Sequence, residues 1–220
     1  MNFENKLKRP VIPVFPGNLR KNDALFLYGA IEGERNFVFS YEQDTSEVVH
    51  GPSCKIQDEI HIDKCAIDKV PVIERRGGGG TVVLSKGMCI TIIVGFRRDR
   101  TAVPIFREIH EAMISVLASA GIDKLEQQGI SDITLDNKKI LGSSLYLGTK
   151  PPLYYYQSCL MVSSELGLLG RYLKHPPREP EYRKSRSHDS FCTTLRCAGH
   201  LLSPTAICTL FNNRLPEMIS

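Results

Sequence analysis

Apolar and polar positions along this chain switch between two periods, and the switches mark out its elements. Asn36 to Tyr41 alternates around Phe37, Val38 and Phe39 and predicts a strand. Residues 42–69 are polar and mixed, predicting loop with a short helix. Val70 to Ile73, Thr81 to Leu84 and Ile90 to Val94 are β-branched and apolar. They predict buried strands, the last two joined by Ser85-Lys86-Gly87. Pro104 to Gly121 then carries Ile105, Ile109, Met113, Val116, Leu117 and Ala120 at helical spacing. Pro104 suits the first turn of this helix, and Gly121 the residue just past its end. His110 is placed on its polar face.

Residues 130–147 return to strand periodicity, broken by Asp136-Asn137, which predicts a hairpin. With strict alternation, burial of Ile140 puts Lys139 on the opposite face beside Leu141 and Ser143. Gly142, Ser143 and Ser144 leave room next to that lysine. Leu153 to Val162 is a tyrosine-rich strand. Ser163 or Ser164 then caps a helix running to Leu173. Residues 174–189, with three prolines and the basic Arg183-Lys184-Ser185-Arg186, predict a mobile loop. Ser203 and Pro204 start a last helix. At the other end, residues 1–21 predict an N-terminal extension, and Asn22 to Gly29 a short helix. Residues 22–220 then form a single domain without a separate C-terminal accessory domain.

Composition narrows the setting. Of the 220 residues, 42% are hydrophobic, enough for one well-filled core. A net charge of +4 does not predict a general nucleic-acid binder. The polar N-terminus lacks the apolar segment of a signal peptide. No stretch reaches the ~18 apolar residues of a membrane span. Seven cysteines without CxxC spacing fit a reducing cytoplasm. Cys54, His61 and Cys65 are too scattered to predict a zinc site.

Candidate chemistry centres on Arg75-Arg76 followed by Gly77-Gly78-Gly79-Gly80. Glycine backbone leaves N–H groups uncovered for phosphate or carboxylate oxygens, and arginines add forked donors. Alone, this run also fits a flexible turn with solvated arginines. A strand lysine such as Lys139 is, by default, a solvated edge charge.

Three segments taken together change that reading. Arg75–Val82, Gly129-Ile130-Ser131-Asp132 and Lys139-Ile140-Leu141-Gly142-Ser143-Ser144 resemble, in order and separation, motifs of the lipoate–protein ligase family. That family is part of the biotin/lipoate ligase and octanoyltransferase superfamily. The resemblance implies an α+β fold, a central and mainly antiparallel sheet flanked by helices. It implies activation of lipoate or octanoate by ATP and Mg2+ to an acyl-adenylate, then transfer to a lysine of a lipoyl acceptor domain. Such domains belong to 2-oxoacid dehydrogenase or glycine cleavage proteins. Arg75, Arg76, Gly78 and Gly79 would hold the acyl carboxyl end and the nucleotide phosphate. Gly80, Thr81, Val82 and Val83 would line the nucleotide side, with Gly142 and Ser143 beside the ligand. Lys139 would be the catalytic residue, touching acyl carbonyl and α-phosphate. Asp132 would face the nucleotide and its magnesium. Val82, Ile90, Ile92 and Val94 are candidate walls for the carbon chain. No nucleic acid or membrane is implied as a partner; a separate accessory ligase subunit is.

The chain departs from the family pattern in several places. Gly77 stands where the family has serine, Leu84-Ser85 where it often has His-Asp, Ser131 where it has asparagine, and Ser144 where it has alanine. These departures leave room for a non-catalytic lipoyl-domain binder. A second alternative is a transferase acting through a cysteine thioester, for which Cys159 is the placed candidate.

Overall fold

The computed structural model describes residues 37–96, 100–150 and 152–219. The expected N-terminal extension and the helix over residues 22–29 lie outside them. The main sheet has six strands: β1 (Phe37–Glu42), β5 (Met88–Phe96), β9 (Leu153–Met161), β8 (Lys138–Leu147), β7 (Asp132–Leu135) and β6 (Leu125–Gln128), in that spatial order. Every neighbouring pair is antiparallel. A second sheet of three strands has the order β3 (Val72–Glu74), β2 (Glu47–His50), β4 (Val82–Leu84). The expected α+β architecture is therefore present.

Strand parity decides what each face of the large sheet does. Cys89 and Ile93 of β5, and Tyr154, Tyr156 and Leu160 of β9, face one way. They pack against α3 (Ala102–Ser119) and α6 (Pro204–Met218). Five of the six expected stripe positions on α3, Ile105, Ile109, Met113, Val116 and Leu117, are buried in this cluster, and the sixth, Ala120, is the half-buried cap residue. The helix ends at Ala120, and Gly121 has a φ of +81° that suits glycine. On α6, Ser203 Oγ accepts the Ala206 N–H at 3.1 Å, with Pro204 at the first position, as expected. The thiols of Cys89 and Cys208 meet at 2.9 Å between β5 and α6.

The opposite face, with Ile90 and Met161, packs on the small sheet and on four short helices. These are α1 (Ile56–Glu59), α2 (Ile62–Ile67), α4 (Gly167–Tyr172) and α5 (His188–Phe191). Two expectations need correction here, on residues 42–69 and on the cap of α4, and one gains detail. Residues 42–69 hold strand β2 and two helices rather than loop with one. The two strands expected around Ser85–Gly87 are present as β4 and β5, but they lie in different sheets, so this connection carries the chain from one sheet to the other. Neither Ser163 nor Ser164 caps α4, which starts at Gly167 after Leu166 without a side-chain cap.

Candidate active site

The hairpin of β7 and β8 carries the charged centre. Asp136 and Asn137 have φ of +48° and +63°, the left-handed pair that a two-residue primed turn requires. A bulge then interrupts the ladder: Thr134 pairs with Lys139, and Ile133 with Leu141, leaving Ile140 as the extra residue. Ile140 and Leu141 both enter the helix-side core. Strict alternation therefore fails, and Leu141 does not share the face of Lys139. The lysine instead lies over Gly142, where a Cβ would come within 2.9 Å of its Nζ. Ser143 also borders the cavity, but its hydroxyl turns to the helix side, so Gly142 and Ser144 are the small residues beside Lys139.

Lys139 Nζ donates to Asp132 Oδ1 at 2.8 Å, and the Tyr182 hydroxyl donates to Asp132 Oδ2 at 2.7 Å. Burial pulls the lysine pKa down, but the charge and hydrogen bond of Asp132 outweigh it, and the value ends above that of an ordinary lysine. Lys139 is thus a fixed, protonated donor. Burial and the same carboxylate raise the Tyr182 phenol, which stays neutral.

Behind this pair stands a residue that the sequence misplaced. His110 is fully buried, not on a polar face. Its Nε2 lies 3.1 Å from Ser143 Oγ, which itself donates to the Ser131 carbonyl at 2.7 Å. The serine proton is committed, so the network assigns the imidazole proton to Nε2. Nδ1 is buried and has no partner among the described residues. Burial lowers the pKa of this histidine to about 4, so it is neutral near pH 7. This relay ties α3 to the residue immediately before Asp132.

The glycine loop forms the facing wall. Arg75 is buried, and its Nη2 donates to the carbonyls of Gly78 at 2.8 Å and Gly80 at 2.7 Å. Nη1 reaches the Val49 carbonyl at 3.3 Å. Much of the donor set of Arg75 is therefore spent on shaping the loop, whereas Arg76 is exposed at the cavity. Gly79 has a φ of +99°, and its carbonyl sits so close to Gly51 that a Cβ there would come within 2.4 Å of it. Thr81 donates from Oγ1 at 2.6 Å and from N at 3.2 Å to Glu59, a buried carboxylate that no sequence pattern marked. Gly79, Gly80, Thr81 and Val82 line the cavity. Gly78 is not part of the lining, and Val83 points into the core on the alternate side of β4.

The segment expected to be a mobile loop instead straps the third side. Lys174 N donates to the Glu59 carbonyl, and Thr193 N to the Lys139 carbonyl, both at 2.9 Å. Between them Arg183 is buried, with its guanidinium carbon 4.7 Å from the Phe191 ring centre. Arg186 reaches the Asn137 carbonyl at 3.2 Å. Tyr182 hangs from this strap, in a stretch whose prolines and charges disguise its packing.

These parts enclose a cavity of about 370 Å³ that also admits Ile90, Gln157 and Cys159. Ile92 and Val94, expected as walls, are buried in a separate apolar cluster farther along the sheet. Cys159 Sγ donates to the Gly142 carbonyl at 3.7 Å. Burial raises its pKa, with Lys139 and Arg75 pulling the other way. Among the described residues no group of three His, Cys, Asp or Glu side chains could hold a metal ion. No described helix is long and apolar enough to cross a membrane.

Comparison with known proteins agrees with this geometry. The chain is 29% identical over 90 residues to Lipoate–protein ligase 2 of Staphylococcus aureus, a match covering 40% of this chain and 26% of that protein. It thus spans about a quarter of the curated relative. Among solved structures it resembles a bi-partite lipoate protein ligase from Thermoplasma acidophilum, studied with its E2 lipoyl domain. There the TM-score is 0.69 at 21% identity, over 83% of this chain and 72% of that one. It also resembles lipoate-protein ligase A bound with ATP, with a TM-score of 0.68 at 20% identity, over 83% and 74% of the two chains. The family described as the lipoyl protein ligase A/B catalytic domain matches residues 18–212, and this chain belongs to it.

Proposed function

We propose that the chain activates lipoate or octanoate with ATP and transfers the acyl group to a lysine of a lipoyl acceptor domain. The observation that carries this reading is the fixed, protonated Lys139, held by Asp132 in the cavity that the glycine loop walls. In the first step an acyl carboxylate oxygen attacks the α-phosphorus of ATP, and pyrophosphate leaves. Two anions must approach, and Lys139, Arg76 and loop N–H groups offset their repulsion and stabilise the charge that develops. In the second step the acceptor amine attacks the acyl carbonyl and AMP departs. Lys139 polarises that carbonyl; with its proton held by Asp132 it is not the acylated group.

Magnesium enters this reading only with the nucleotide. Both oxygens of Asp132 already accept hydrogen bonds, so the pocket offers no ready cation cage, and no step here runs through a metal. Family membership supports the lipoyl chemistry. The ATP bound to lipoate-protein ligase A supports the nucleotide. The bi-partite archaeal ligase and its lipoyl domain support an acceptor domain, and a second accessory chain, as partners.

The test is the mass of a purified lipoyl domain incubated with this protein, lipoate, ATP and magnesium. An ATP-dependent gain of one lipoyl group, lost with Lys139→Ala, is expected. One observation favours a second reading: Cys159 lines the same cavity, on the strand next to Lys139. A thioester transferase would take its acyl group from an octanoyl carrier without ATP, and Cys159→Ser would abolish transfer. Retained ATP-dependent transfer by that variant excludes the thioester route.

A further inference from the structure

Of the four loop glycines, two have open space around them: a Cβ on Gly78 or Gly80 would meet nothing within 4 Å. Gly79 is needed for its positive φ. Gly77 has neither excuse. Its φ lies outside the left-handed range, and it is buried because its Cα packs on the side chain of Ser144. A Cβ at position 77 would come within 2.9 Å of Ser144 Oγ and 3.2 Å of Ser144 Cβ.

Ser144 is on the cavity side of β8, two residues beyond Gly142 and paired across the sheet with Gln157 of β9. The spacing sets it about 7 Å along the strand from the residue over which Lys139 lies. The loop position that lacks a side chain and the strand position that carries a hydroxyl are thus two sides of one contact. They are also two of the positions where this chain departs from the ligase pattern, which has serine in the loop and alanine in the strand.

We infer that these departures are a single exchange, and that Ser144 is a substrate-binding residue. Its hydroxyl reaches the carboxyl end of the acyl substrate from the rigid sheet, in the space that Gly77 leaves empty. The inference rests on the function proposed above and deepens it by naming the residue that meets the acid. A hydroxyl on β8, where Ser144 pairs with Gln157 of β9, is held by the sheet, whereas one on the loop would move with the loop. The wall formed by Ser144 and Gln157 is polar, so the carboxyl end, not the hydrocarbon tail, belongs against it.

Four proteins test this: the wild type, Ser144→Ala, Gly77→Ser, and the double variant that restores the family arrangement. Each is measured for thermal unfolding, for lipoate and octanoate binding by calorimetry without nucleotide, and for KM and kcat in acid-dependent pyrophosphate exchange. Ser144→Ala is expected to weaken acid binding about tenfold and to raise KM more than it lowers kcat, with little change in Tm. Gly77→Ser is expected to lower Tm by roughly 3–10 °C and to weaken acid binding further, because the new side chain pushes on Ser144. The double variant should recover at least half of both losses. A double variant no better than Gly77→Ser overturns the exchange. Unchanged acid binding and KM in Ser144→Ala overturns the role of the hydroxyl. Failure of the wild type to bind either acid overturns the function proposed above and that role together, while Tm recovery reports the contact independently of any activity.

Discussion

The two faces of the six-stranded sheet use the same strands for opposite ends. On the helix face, Ile93, Tyr154, Tyr156 and Leu160 interlock with α3 and α6, and several polar groups there are tied to specific partners. Ser40, for example, shares a hydroxyl contact of 2.9 Å with Thr91 and exchanges backbone hydrogen bonds with the side chain of Asn212. On the cavity face the alternate residues are Gly142, Ser144, Gln157 and Cys159, small or polar, leaving space and donors. Stability and chemistry are thus assigned to opposite parities of one set of strands. Each can be perturbed with little effect on the other, except through His110, Ser143 and Ser131, which cross between them.

Substitutions on either face can break that division. The largest expected effect is on the cavity face. On the function proposed above, Lys139→Ala should cut the rate of acyl-adenylate formation about 10²–10³-fold in single-turnover kinetics. Its Tm should move less than that of a core variant, since Tyr182 still serves Asp132. On the helix face, Ile109→Ala should cost about 2–5 kcal/mol in denaturant unfolding while kcat per folded molecule stays the same. A large fall in kcat there would show that the faces are coupled.

His110 sharpens the comparison through pH. Its folded pKa is lowered from 6.5 to about 4. Between those values the unfolded chain binds a proton that the folded chain refuses, so stability falls as pH drops through this window, by roughly 3 kcal/mol in full. His110→Gln should keep a bond to Ser143 and flatten that part of the profile, measured as ΔG of unfolding against pH relative to the wild type. The smallest effect belongs to Tyr182→Phe, which removes one hydrogen bond to a charged group and should cost about 1–2 kcal/mol in unfolding.

Local signals in the sequence carried much of this. Asp136-Asn137 announced its hairpin because the turn needs two left-handed residues in a row. The stripe from Ile105 to Leu117 announced α3 because helical spacing is intrinsic to the chain. Lys139 and Asp132 were legible by resemblance, and the fold with them. What escaped depends on contacts between distant residues. The bulge at Ile140 is a property of a strand pair and defeats any rule of alternation read from one strand. Glu59, His110 and Tyr182 lie 22, 33 and 50 positions from the partners that they bond. Nothing near them in sequence signals those partners. The strap over residues 174–193 looks like a loop because its order comes from Phe191 stacking, from Asp132 and from backbone bonds to Glu59 and Lys139.

The bond from Tyr182 to Asp132 also has an optical consequence. The chain contains no tryptophan, so its eight tyrosines account for its intrinsic fluorescence. A phenol that donates to a carboxylate emits weakly, because the excited ring passes its proton toward the acceptor. Any ligand that takes over Oδ2 of Asp132 therefore releases Tyr182 and brightens the protein. The site carries its own dye, and occupancy can be followed in a cuvette without labelling the ligand.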